Sequence, residues 1–167
     1  MQKSLIILLS VLFLFSCKEE EAEEIPSGYD SFYDLHENDD DALTFGMPTF
    51  IFKLFITINN KGVEEAVDQI ESIDFFISDQ ADDAYIKELN KHFPIKIYKP
   101  LLNIKDKDTN IKFLVREKKE RVDELIMIVN EKPDNTCVLM RIGGSFSIKH
   151  VEQMADKIDV SGIVKYR

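Results

Sequence analysis

Ile111-Lys112-Phe113-Leu114-Val115-Arg116, Val122-Asp123-Glu124-Leu125-Ile126-Met127-Ile128-Val129 and Thr136-Cys137-Val138-Leu139-Met140-Arg141-Ile142 are the three runs whose reading decides the fold. The first and third alternate. Side chains on a strand point to opposite faces in turn, so Ile111, Phe113 and Val115 share one face with Val138, Met140 and Ile142. The middle run is apolar on both faces from Leu125 to Val129, as a central strand requires. Short polar connections at residues 117–121 and 130–135 favour antiparallel neighbours. Residues 110–148 therefore predict a three-strand antiparallel meander running into a helix.

Gly143-Gly144 predicts a sharp corner from strand to helix. A phosphate loop is outweighed because no Gly-Lys-Ser/Thr follows. Ser147 is an N-cap whose hydroxyl can accept a free backbone N–H of the first turn. Phe146 and Val151 have the spacing of a hydrophobic staple. Val151, Met154, Ala155 and Ile158 recur at helical spacing and form the stripe that meets the sheet.

Upstream, residues 43–46 form a short strand. Residues 50–58 alternate as a strand, yet after Pro48 they also present Ile51, Leu54, Phe55 and Ile58 on one helical face; periodicity leaves both open. Residues 63–70 read as a short helix and 73–77 as a strand. Asp79 caps a further helix with the stripe Tyr85, Ile86, Leu89 and Phe93, stopped by Pro94. Residues 95–98 are another strand. Together these elements predict an α+β fold: a two-layer sandwich with an antiparallel sheet, and helices mainly on the Phe113, Val138 and Met140 face.

The chain has 167 residues and a net charge of -10. That charge excludes a nucleic-acid phosphate partner and opposes binding to anionic lipid headgroups. Two cysteines make no disulfide framework once Cys17 is modified. Cys137 reads as a small half-buried apolar residue. Asp106, Asp108, Asn110 and Glu117 match part of a calcium loop, but Ile111 stands where its glycine must be, so a solvated turn is the reading. His36, His92 and His150 are scattered. No nucleophile elbow, paired metal motif or cofactor fingerprint is present, and no catalytic residue, metal ligand or cofactor is assigned.

Met1-Gln2-Lys3 is a basic n-region, and residues 5–15 are apolar except for Ser10. This is short for a spanning helix and suits a signal peptide. Leu14-Phe15-Ser16-Cys17 resembles a bacterial lipobox, with Phe15 in place of the usual small residue. The resemblance implies cleavage before Cys17 and acylation of its sulfur and new amino terminus. Acyl chains contribute about 0.8 kcal/mol per buried methylene, so several chains attach a protein stably. Cys17-Lys18-Glu19-Glu20 resembles the export signal of Bacteroidota lipoproteins, which implies the outer membrane and exposure at the cell surface. The expected layout is a signal peptide at residues 1–16, an acidic tether and linker at 17–41, and one α+β domain at 42–167. Tyr29, Phe32, Tyr33 and Leu35 serve as anchors of the linker on that domain.

Ile70-Glu71-Ser72-Ile73-Asp74-Phe75-Phe76, the three strand runs, and Gly143-Gly144-Ser145-Phe146-Ser147 resemble a Bacteroidota lipoprotein family known as domain of unknown function 4252. The resemblance spans about residues 28–160, a single-domain length. It implies no activity and favours the helical reading of residues 48–58.

Two functions compete. One is an envelope interaction or ligand-binding module, whose partner is an envelope protein or a second copy of the chain. Its candidate surface is the second face of the meander: Leu114, Cys137, Leu139 and Ile126 or Ile128, rimmed by Lys112, Arg116, Glu124 and Arg141. The alternative on that same face is that the linker aromatics cover it. The other function is an envelope enzyme with a non-motif active site, which a deep polar cleft would favour.

Overall fold

The computed structural model describes residues 25–51, 65 and 67–155. The leader, Cys17, most of the ambiguous 48–58 segment and Ile158 lie outside the described residues. Thr49 to Ile51 are helical, directly after Pro48.

The described residues build a six-stranded antiparallel sheet with a few short helices. Its strands are β1 (Ala42–Gly46), β2 (Ile70–Ser78), β3 (Tyr98–Lys105), β4 (Thr109–Lys118), β5 (Arg121–Glu131) and β6 (Thr136–Phe146), in the spatial order β1-β2-β6-β5-β4-β3. The meander β4-β5-β6 is as the alternation requires. Phe113, Met127, Met140 and Phe75 lie side by side across four strands. One face carries Ile111, Phe113, Val115, Leu125, Met127, Met140 and Ile142 in a common core.

β6 does not stop at Gly143-Gly144. It runs on to Phe146, with a register shift against β2 near Ile70 and Ser72. The glycines serve close approach rather than a corner. A Cβ on Gly144 would strike the Gln69 carbonyl and the Phe146 ring, and one on Gly143 would come 2.8 Å from Ser72 Oγ. Ser147 then caps the helix α3 (Ile148–Ala155), accepting from His150 N–H at 3.2 Å. Phe146 and Val151, the staple pair, are both fully buried in the first core.

Three further expectations are corrected. Residues 95–98 are not a strand: Ile97 and Tyr98 N–H donate to the Pro94 carbonyl, and β3 begins only at Tyr98. The helix α2 (Asp83–Leu89) is capped by Asp82, not Asp79, because Ala81 N–H is first held by the Asn135 carbonyl. The stretch assigned to linker contains the helix α1 (Gly28–His36), capped by Ser27, whose side chain accepts from Tyr29 and Asp30 N–H. The boundary at residue 42 therefore falls inside the packed body.

α1 and α2 cover the face opposite to the one expected. Tyr29, Phe32, Leu89 and Phe93 pack with Ile126, Ile128, Cys137 and Leu139, whereas Val151 of α3 joins the Phe113 face. The reason is that both faces of β5 are apolar, so each needs cover; burying a large aliphatic side chain is worth about 1.5–3 kcal/mol.

Candidate functional site

The stripe singled out as an interaction surface is core. Ile126, Ile128 and Leu139 are 0%, 2% and 1% exposed, and Leu114 is half-buried against the same cluster. Ile126 and Ile128, two residues apart on one strand, both belong to it. The aromatic residues of α1 cover it, so the meander leaves no open sheet face there. The two rim arginines remain partly exposed, and each leads to a polar cluster beneath α1.

Arg116 leads to Glu124. This carboxylate is 2% exposed, yet each oxygen is satisfied. Ser27 Oγ donates to Oε1. Tyr98 OH donates to Oε2 at 2.6 Å, while accepting the Gly28 N–H at 2.7 Å. Arg116 Nε lies 3.5 Å from Oε2, and a terminal guanidinium nitrogen of Arg116 bridges Asp123 Oδ2 at 3.0 Å. Burial, with the hydrogen bond to Glu124 next, pushes the Tyr98 phenol well above its ordinary range and keeps it a donor. The cluster ties the start of α1 to β3 and β5. A buried charge so enclosed is a structural tie, since none of the described clefts reaches it.

Arg141 leads to a cleft. On β6 it stands opposite Asp74 of β2. Its guanidinium holds Asp74 Oδ2 at 2.8 and 3.0 Å and Asp30 Oδ1 of α1 at 2.5 Å. It also lies 4.7 Å over the Tyr29 ring, a cation–π geometry. The burial of Arg141 disfavours its charge, but the Asp74 hydrogen bond and the two carboxylates more than offset this and raise its pKa. Burial, then Asp74, likewise raises the Tyr29 phenol above its ordinary value. These groups floor a cleft of about 290 Å³ between α1 and β1, walled by Tyr33, Thr44, Phe45 and Gly46. Two carboxylates share one guanidinium, so the cleft carries a net negative charge suited to a cationic or hydrogen-bond-donating group.

The remaining candidates are less organised. Cys137 is 3% exposed, and burial pushes its thiol up to about 12, which leaves no thiolate at neutral pH. His36 and His92, far apart in the chain, both pack on Phe32, at 4.4 and 5.5 Å between ring centroids. His150 stands apart, 3.6 Å from Glu65. Among the described residues no group of three or more His, Cys, Asp or Glu can hold a metal, and no helix is long and apolar enough to cross a membrane.

Of the expected surface residues, only Arg141 reaches the cleft. Asp30, Asp74 and Thr44 escape sequence reading as site residues, and Tyr29 enters it only as an anchor of the linker. A signal exists for Asp74, an acid set directly before the apolar run Phe75-Phe76-Ile77, and for Glu124, an acid at a strand position that alternation turns inward. Neither names a partner until the strands are paired.

No curated protein matches the chain. A family model described as a domain of unknown function (DUF4252) matches residues 33–154, from within α1 through the sheet to α3. The match spans most of the chain and all six strands, and the chain belongs to that family.

Proposed function

We propose that the protein is a lipoprotein of the Bacteroidota type, anchored through acylated Cys17 in the outer membrane and facing the cell surface, whose folded part is an envelope interaction or ligand-binding module. The leader motif supports the anchor. The binding reading is carried by one observation: the cleft at Arg141, in which Asp30, Asp74 and Tyr29 are held in fixed geometry beside β1, the first strand of the sheet order. As architecture, the reading is a two-layer α+β sandwich, with α1 and α2 packed on the sheet as its helical layer. The acidic run between Cys17 and α1 then acts as a self-repelling tether.

A photo-crosslinking side chain in place of Thr44, which lies on the cleft face of β1, tests the binding reading in intact cells. A discrete adduct is expected there and none from the same group at Lys96, an exposed residue off the cleft. Equal, diffuse labelling at both positions removes the support for a dedicated site. An envelope enzyme would need an accessible reacting group; among the described residues the enclosed Glu124 and the neutral Cys137 supply none.

A further inference from the structure

β1 ends the sheet, and among the described residues no strand pairs with its outer edge. Met47 N–H donates to the Ile73 carbonyl at 2.7 Å, and the same register carries on as Phe45 opposite Phe75 and Leu43 opposite Ile77. In an antiparallel ladder, hydrogen-bonded pairs alternate with non-bonded ones. Leu43 and Phe45 therefore direct their backbone groups to β2, and Thr44 and Gly46 direct theirs outward.

The two faces of this edge differ. On one, Leu43 and Phe45 are 59% and 42% exposed, and Phe45 stacks on Phe75 with centroids 4.8 Å apart. On the other, Thr44 and Gly46 border the acidic cleft with Asp30 and Asp74. Asp39-Asp40-Asp41 lead directly into the strand, and the chain carries -10 overall. Natural edges are blunted by short length and by charge. The net charge here is negative, so it repels an acidic strand or a second copy and attracts a basic one.

Resting on the binding-module reading and naming its partner, we infer that β1 accepts an extended segment of another protein as an added strand. That segment is apolar at the alternate positions beside Leu43 and Phe45, and basic at those facing Asp30 and Asp74. Main-chain hydrogen bonds to Thr44 and Gly46 give affinity, and the alternation gives specificity.

The test uses the full-length chain in neutral detergent and two capped heptapeptides, one alternating Val and Lys, the other alternating Val and Glu. The Val–Lys peptide is expected to bind at least tenfold more tightly and to slow hydrogen exchange at the Thr44 and Gly46 amides. Thr44→Pro removes an outward N–H without touching the β1–β2 ladder, and it should weaken binding at least tenfold while the melting midpoint stays put. Binding without slowed exchange at those two amides means electrostatic adsorption and overturns the inference, whether or not the proline variant folds. Equal binding of both peptides overturns it too, as does wild-type self-association that Thr44→Pro abolishes, which makes a second copy the occupant. No peptide binding alongside a discrete adduct at position 44 in cells sinks strand addition and spares the binding module; loss of both sinks both.

Discussion

Leu139 shows how one residue separates surface from core. It is 1% exposed beneath α1 and α2. Placing a carboxylate there forces an unpaired charge into an apolar interior, so Leu139→Asp should lower stability by about 4 kcal/mol or more; a thermal melt reads this as a collapsed midpoint. Glu124 is the converse case, a charge whose partners are built in. Glu124→Ala leaves the Ser27 and Tyr98 hydroxyls without their acceptor and Arg116 with Asp123 alone, and each buried donor so stranded costs about 1–3 kcal/mol. Tyr98→Phe removes one donor and should cost about 1–3 kcal/mol by denaturant unfolding, because it also orphans the Gly28 N–H. His92 adds a pH term. Burial lowers its pKa from the ordinary 6.5, against the raising effect of Glu88 and with His36 and Lys91 adding to the lowering. The unfolded chain therefore takes up this proton first as pH falls, and stability is lost from about pH 6.5 downward. Melting curves of His92→Gln should depend less on pH in that window than those of the wild type.

At the scale of elements, the β4–β5 hairpin and α1 carry the sharpest expectations. Lys119 and Glu120, the two residues between Lys118 and Arg121, have φ of 51° and 64°. A two-residue hairpin of the primed kind needs positive φ at both positions, where Asn and Gly are at ease and other residues are strained by about 1–2 kcal/mol. Lys119→Asn with Glu120→Gly should thus stabilise the fold by about 1 kcal/mol; an unchanged unfolding midpoint would count against strain in this turn. α1 is held at its start by the Ser27 cap, whose replacement by Ala should cost about 1 kcal/mol from the cap alone, with more from the lost contact to Glu124. Gly28 admits no Cβ because the His92 carbonyl and the Phe93 ring occupy that space. Gly28→Ala should loosen α1 and raise hydrogen exchange in β5 beneath it.

For the molecule as a whole, the proposed anchor at Cys17 and the folded body are separable in a test. If Cys17 is the lipid attachment site, Cys17→Ala leaves the sheet intact and shifts the protein out of the membrane fraction, or leaves it unprocessed. Unchanged membrane partition with normal cleavage would discard the anchor. The acidic excess belongs partly to the chain ahead of α1 and partly to the β1 end of the sheet. Binding at the Arg141 cleft should therefore weaken as salt rises, because partly exposed charges are screened within about 10 Å at 0.1 M.

By itself the sequence determined the meander, which residues share each face of its outer strands, the Ser147 cap with its staple, and family membership. These rest on local chemistry: a period of two sends Phe113 and Leu114 to opposite faces wherever the strand lies, and a hydroxyl before a helix caps it in any surroundings. What covers each face was decided only by the tertiary structure. Burial relates segments far apart in the chain, and the apolar stripe at Leu139 is equally consistent with an open surface and with a core until α1 is seen lying on it. The sites have the same origin. Ser27 reaches Glu124 across 97 positions and Asp30 reaches Arg141 across 111. No spacing rule links such pairs, because they meet only after the sheet has closed its order and the helix has docked.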